Sequence, residues 1–179
     1  MGALHEGHLS LVRQSKEDND ITATCLFVNP SQFNDSEDLL KYPRDHDVDM
    51  RMLMDVGCEV TFLPTVMEVY PLGLETKVDV NLGGLERQLE GEFRPGHFDG
   101  MMEIVHRLLQ ITQPHKIYMG QKDFQQQTIV KKMIEALKMD VELVVCPIVR
   151  EADGLAMSSR NTRLTPDFRT KAAQINKIM

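Results

Sequence analysis

The chain has 179 residues, 42% of them hydrophobic and 26% charged, which suits a folded domain with one sizeable core and excludes a disordered polypeptide. A formal net charge of −7 argues against sequence-independent nucleic-acid binding, which relies on many lysine and arginine contacts to phosphate. No apolar run reaches transmembrane length, and the opening MGALHEGH lacks the basic region and apolar stretch of a signal peptide, so a cytoplasmic protein is expected.

MGALHEGH runs into HLSLVRQ, where a helix is expected from about His8. His5 and His8, placed at a helix start, can both face a bound phosphate chain. Gly7 lets the backbone approach a ligand, and the helix amino terminus adds its N–H groups and positive dipole end. A neutral histidine would donate a hydrogen bond to a transferring phosphate, and a protonated one would offset its developing charge. The same spacing suits ordinary surface histidines or a metal site. Next, the β-branched run ITATCLFV (Ile21 to Val28) reads as a buried strand. It ends at an Asn-Pro turn in FVNPSQF, which sets Asn29 and Gln32 at the carboxyl edge of a sheet, where small substrates bind; a plain turn is the alternative. In YPRDHDVDMRML, residues Asp45, Asp49, Met52, Leu53 and Val56 share a helical stripe. An aspartate on an apolar face needs a partner: magnesium on ATP phosphates, an arginine, or a helix cap.

VTFLP (Val60 to Pro64) reads as a second strand. FRPGHF then sets Arg94 and His97 beside a Pro-Gly turn, either a flap over a site or an ordinary turn. Met101, Ile104, Val105, Leu108 and Leu109 fall on one helical face. The strand KIYMG ends at GQKDF, where Lys122 would reach into a ligand crevice and Asp123 would cap the next helix. Gln125, Gln126 and Gln127 follow, and one or more would read a hydroxyl-bearing acid; a solvated helix start is the alternative. Val130, Met133, Ile134 and Leu137 mark that helix, and VELVVCPIV (Val141 to Val149) the last strand. After READG, Ser158 and Ser159 beside Arg160 suit phosphate oxygens, unless the segment is a polar loop with a capping serine. Cys25, Cys58 and Cys146 are widely spaced among apolar residues and read as small hydrophobes in a reducing compartment. Strands alternating with helices imply an α/β fold: a Rossmann-like, doubly wound parallel sheet with helices on both faces and ligands beyond the carboxyl ends of the strands.

Taken together, MGALHEGHLSLV, FVNPSQF, YPR, RPGHF, GQKDFQQ and VREADGLAMSSRN resemble the pantothenate synthetase family, in its order and spacing, over essentially the whole chain. MGALHEGH is similar to the HIGH motif of the nucleotidyltransferase superfamily, and SSR to its KMSKS-type loop. The resemblance implies ATP-dependent condensation of (R)-pantoate with β-alanine through a pantoyl-adenylate, with release of AMP and pyrophosphate. It implies an ATP site made of Met1, Gly2, Ala3, Leu4, His5, Glu6, Gly7 and His8, of Gly120, Gln121, Lys122 and Asp123, and of Val149, Met157, Ser158, Ser159 and Arg160. His5, His8, Lys122 and Arg160 would be catalytic, with His8 as proton donor. Gln32 and Gln126 would bind pantoate, with Asn29 at the same edge and Gln32 also bordering the β-alanine site; Asp49 matches a position associated with magnesium. A homodimer with small-molecule substrates is implied.

Gln121 stands where the family usually has Glu. The family also has a strand before its first motif and a smaller domain after SSRN. Residues 1–165 are therefore read as a Rossmann-like ATP/pantoate-binding domain lacking its first strand, and residues 166–179 as the start of a helix leading to an absent C-terminal domain. Such a stretch is expected to bind nucleotide and turn over poorly. The competing readings are another nucleotidyltransferase of the superfamily and a non-catalytic nucleotide-binding fragment.

Overall fold

Local capping decides where the first helix starts. The computed structural model describes residues 1–33, 36–73 and 77–178, with the side chains of Gln32, Ser36 and Asp38 outside the described set. Helix α1 (Glu6–Asp18) starts ahead of the expected His8 because His5 is its N-cap. The His5 side chain accepts from the Gly7 N–H, and the His8 side chain accepts from the His5 N–H. Such a reciprocal box satisfies two amides that have no partner inside the helix. Leu9 and Val12 of α1 pack with Leu26 and Leu53 in one buried cluster.

Strand β1 (Ala23–Cys25) leads through a 3-10 turn at Pro30–Gln32 to helices α2 (Ser36–Lys41) and α3 (His46–Asp55) and then to β2 (Val60–Phe62). β1 and β2 pair in parallel, Ala23 opposite Val60 and Cys25 opposite Phe62. Helices α4 (Val66–Val69), α5 (Glu90–Phe93) and α6 (His97–Thr112) follow, then β3 (Lys116–Gly120), a 3-10 turn at Gln121–Asp123, α7 (Phe124–Leu137) and β4 (Glu142–Cys146). β3 and β4 are parallel, from Lys116 opposite Glu142 to Gly120 opposite Cys146. A 3-10 turn at Ser159–Arg163 and helices α8 (Pro166–Ala172) and α9 (Ile175–Ile178) close the described chain.

The α/β class and the parallel pairing match the sequence expectation. The ladders are shorter than the apolar runs. β4 stops at Cys146 because Pro147 has no N–H to continue it. Among the described residues the strands form two parallel pairs, and no ladder joins them. Side chains tie the end of α1 to β3: Asn19 donates to the Tyr118 hydroxyl (2.7 Å), which donates to Asp18 (3.0 Å). The larger core, built from α6 and α7 against β3, holds Phe98, Met101, Met119, Ile129, Val130 and Met133. Among the described residues no helix is long and apolar enough to cross a membrane.

Candidate active site

The segment Met1–Leu4 is held at both ends of its length. The Met1 nitrogen donates to the Cys25 carbonyl (2.7 Å) and the Phe27 N–H to the Met1 carbonyl (2.9 Å), as a neighbouring strand would. Further on, the Ala3 and Leu4 N–H groups donate to the two oxygens of Asp49, at 2.9 and 2.7 Å. Ala3 takes a positive φ of 50°, uncommon outside glycine. This delivers the chain to His5 at the amino terminus of α1, the positive end of the helix dipole.

The two imidazoles lie against each other, with ring centroids 4.0 Å apart. In each, Nδ1 accepts a backbone hydrogen bond, so the neutral ring carries its proton on Nε2. Burial, the adjacent His5, the Met1 amine and Lys122 push His8 down to about 3. Burial and Lys122 also lower His5. Both are therefore neutral N–H donors at physiological pH. Gly7 keeps the space beside them tight: a Cβ there would stand 3.0 Å from the His5 ring and 3.6 Å from the Met157 Cβ.

A stability prediction follows from His8. The unfolded chain takes up the His8 proton near pH 6.5, whereas the folded protein refuses it until about 3. Its contribution is therefore complete above the unfolded value and is lost as pH falls. The melting temperature is expected to drop more steeply from about pH 7 to about pH 4 in the wild type than in His8→Gln, which has no such proton to bind. Parallel pH profiles would contradict a buried neutral imidazole.

The two other phosphate-type segments converge on the same place. Lys122 lies in the 3-10 turn after β3, and its Nζ donates to the Met157 carbonyl at 3.3 Å. Residues 149–157 fold back on themselves: the Met157 N–H donates to the Val149 carbonyl (3.0 Å), and Arg150 bridges Ala156. This brings Ser159 to the first loop, where its hydroxyl donates to the Ala3 carbonyl at 2.8 Å. Ser158 caps its turn by accepting from the Arg160 N–H. The Arg160 guanidinium lies 5.2 Å from the centre of the Tyr42 ring, within cation–π range.

Other expected residues are placed differently. Asn29 is buried (2% exposed), and its amide is used within the fold. It donates to the Ser31 hydroxyl and the Gly100 carbonyl and accepts from the Tyr70 hydroxyl at 3.0 Å. Residue type and position at a strand end could not show that the side chain turns inward. Asp123 sits at the N-cap of α7 but makes no side-chain cap bond there. His97 is buried at the start of α6, so it does not belong to a loose flap, and Arg94 is paired with Glu90 at 2.5 Å. Gln125 spends its amide on the segment before α5, donating to the Leu85 and Gln88 carbonyls (both 2.7 Å) and accepting from the Glu90 N–H. Neighbouring Gln126 is half-buried in the first turn of α7. The side chain of Gln32 lies outside the described residues.

Sequence reasoning assigned no role to Tyr42, Asn161, Glu151 or Arg169, which support the serine-rich turn. Asn161 donates to Glu151 (2.6 Å) and to the Ala156 carbonyl, while Arg169 of α8 reaches both Glu151 (2.7 Å) and Asp153. The motifs YPR and READG…SSRN were visible, but which residues pair across them was not.

The whole chain, residues 1–179, matches the family described as pantoate-beta-alanine ligase. It is 50% identical to a pantothenate synthetase of Acetivibrio thermocellus over 179 residues, all of this chain and 63% of that protein. It is also 50% identical to a pantothenate synthetase of Aquifex aeolicus, over 99% of this chain and 62% of that protein. The fold superposes on the crystal structure of pantothenate synthetase from Thermus thermophilus with a TM-score of 0.94 at 45% identity, covering 99% of this chain and 64% of that one. For a pantoate-beta-alanine ligase from Francisella tularensis, complexed with beta-gamma ATP and β-alanine, the TM-score is 0.93 at 39% identity, covering 99% and 67%. The chain thus spans about 63% of the length of the relatives it matches.

Proposed function

The chain belongs to the pantoate–β-alanine ligase family, and from that premise we propose that the protein condenses (R)-pantoate with β-alanine at the expense of ATP. The observation that carries this reading is the meeting of three phosphate-type segments at one point. The Ala3 carbonyl accepts from Ser159, Lys122 donates to Met157, and Met157 lies against Gly7 between the two histidines.

In the first step a pantoate carboxylate oxygen attacks the α-phosphorus of ATP. The bond to the β-phosphate oxygen breaks, and pyrophosphate leaves with the electron pair. The Nε2–H groups of His5 and His8, the Lys122 ammonium and the Arg160 guanidinium are the donors for the charge that develops on the phosphate oxygens. The depressed basicity of both histidines supports hydrogen-bond donation by neutral rings, with no imidazolium needed. In the second step the β-alanine amine attacks the acyl carbon, the bond to AMP breaks, and the nitrogen loses a proton. No covalent enzyme intermediate is required, and the rate rests on positioning and on shielding the adenylate from water.

Residues 1–8, Gly120–Asp123, Val149 and Met157–Arg160 are the proposed ATP contacts. Gln126 and Gln32 are proposed to hold pantoate. Asn29 supports the Pro30–Gln32 turn from inside, and its amide is not free for a direct substrate contact. Residues 1–165 form the proposed ATP/pantoate unit.

Magnesium is implied by the family likeness, but Asp49 does not fit as its ligand. Both of its oxygens accept backbone N–H groups, it is 2% exposed, and among the described residues no group of three acidic, histidine or cysteine side chains gathers for a cation. An ion carried by the ATP phosphates needs no such cage. A homodimer is proposed on family likeness, and a reducing cytoplasm on that likeness together with three cysteines that carry no disulfide.

The test is a product screen by mass spectrometry with pantoate, ATP, magnesium and β-alanine, on this chain and on a form extended to the relatives' length. The extended form is expected to yield pantothenate and AMP, and this chain to bind ATP with little turnover. A product that keeps its nucleotide, without pantothenate, would identify another nucleotidyltransferase. Equal turnover of both forms would show the extra length to be dispensable.

A further inference from the structure

Asp49 lies in the first turn of α3, yet both of its oxygens bond outside that helix. Oδ2 accepts from Ala3 N–H and Oδ1 from Leu4 N–H, across more than forty positions of sequence. We propose that Asp49 is the positioning residue of the nucleotide-binding loop, a carboxylate clamp that fixes the residues leading into His5 and His8, and that it is not a metal ligand.

Four observations carry this. First, consecutive amides meet the two oxygens of one carboxylate, an arrangement that defines the loop's orientation as well as its position. Charge-assisted bonds of this kind are the strong ones. Second, the clamped segment holds a strained residue: Ala3 has φ 50°, which persists in a non-glycine only when its surroundings enforce it. Third, the same residue is gripped from the other side. The Ala3 N–H goes to Asp49, and the Ala3 carbonyl takes the Ser159 hydroxyl at 2.8 Å. The clamp therefore sets where the serine-rich turn can rest against the first loop. Fourth, the site has no room for a hydrated cation, since Asp49 is 2% exposed. Its charge is stabilised by the two amides and by the amino terminus of α3.

The functional consequence rests on the proposed ATP chemistry, but the clamp itself is testable without it. Asp49→Asn is the discriminating variant. An amide of the same shape keeps one acceptor and turns an NH2 toward the other N–H, so one bond is lost and two donors face each other. Amide hydrogen exchange of Ala3 and Leu4, read by NMR without nucleotide, is expected to quicken by about tenfold or more in this variant, while helix α7 keeps its protection. In the wild type the same two amides should exchange equally with magnesium and with a chelator. In the extended form, Asp49→Asn should lower kcat/KM for ATP by about tenfold or more at every magnesium concentration, with the magnesium dependence unchanged. Unaltered exchange of Ala3 and Leu4 in the variant, exchange in the wild type that responds to magnesium, or activity restored by excess magnesium would overturn the proposal. If Asp49→Asn does not fold, the wild-type comparison still decides. A wild type that forms no pantothenate would count against the proposed function and leave the exchange result to judge the clamp.

Discussion

Replacing Lys122 with alanine is expected to slow adenylate formation by about a hundredfold or more, the usual loss for a group that stabilises developing charge. That factor corresponds to about 2.7 kcal/mol of barrier. The lysine lies at the end of β3 with its side chain 38% exposed, so no core contact is lost with it. Its ammonium is close enough to lower both His5 and His8, which places it beside the atoms those rings would address. Its present hydrogen bond, to the Met157 carbonyl at 3.3 Å, is long for a charged donor and easily exchanged for a phosphate oxygen. His8→Ala should show a loss of similar size. Rapid-quench single-turnover measurement of pantoyl-adenylate in the extended form checks both, alongside unchanged melting at neutral pH for Lys122→Ala. Wild-type rates in the two variants would remove these residues from the mechanism.

Gly100→Ala is expected to damage the fold although it adds only one methyl group. A Cβ at this position of α6 would stand 2.5 Å from the Ser31 carbonyl oxygen and 2.8 Å from its carbon, and both are backbone atoms that cannot swing aside. Relief requires α6 to separate from the Pro30–Gln32 turn, which also strips Asn29 of its bond to the Gly100 carbonyl. Overpacking of this kind costs about 1–3 kcal/mol. A urea melt should show that loss, and the KM for pantoate should rise because the displaced turn carries Gln32. Gly120→Ala is the control: its φ is −78° and nothing lies within 4 Å of an added Cβ, so its stability should match the wild type. A Gly100→Ala protein as stable as the Gly120→Ala protein would contradict the packing described.

Where the candidate residues sit along the backbone was legible. His5, Lys122 and Ser159 lie at strand or loop ends where helices or turns begin, and sequence order alone puts such residues on one edge of an α/β fold. The residues whose role depends on side-chain direction were not. Asn29 and Asp49 occupy motif positions that face a ligand as readily as the interior. Asp49 shares its stripe with Leu53, and that apolar stripe did signal a need for a partner. The partner, a pair of amides in a different segment, has no signature in residue type. Gln125 and Gln126 differ for the same reason: neighbours on a helix point about 100° apart, so Gln125 serves the segment before α5 while Gln126 points another way. The parallel α/β class was legible, but which strands pair was not: among the described residues the ladders are β1–β2 and β3–β4, and a run of apolar residues records burial and not which strand lies alongside.

That this site joins an acid to AMP before any amine is needed is tested most directly by isotope exchange. The extended form is incubated with ATP, magnesium and labelled pyrophosphate, with and without pantoate, and with no β-alanine present. Pantoate-dependent entry of label into ATP is predicted, lost to within background in Lys122→Ala. Absence of exchange with pantoate, or formation of ADP and phosphate in its place, would contradict an acyl-adenylate mechanism at this site.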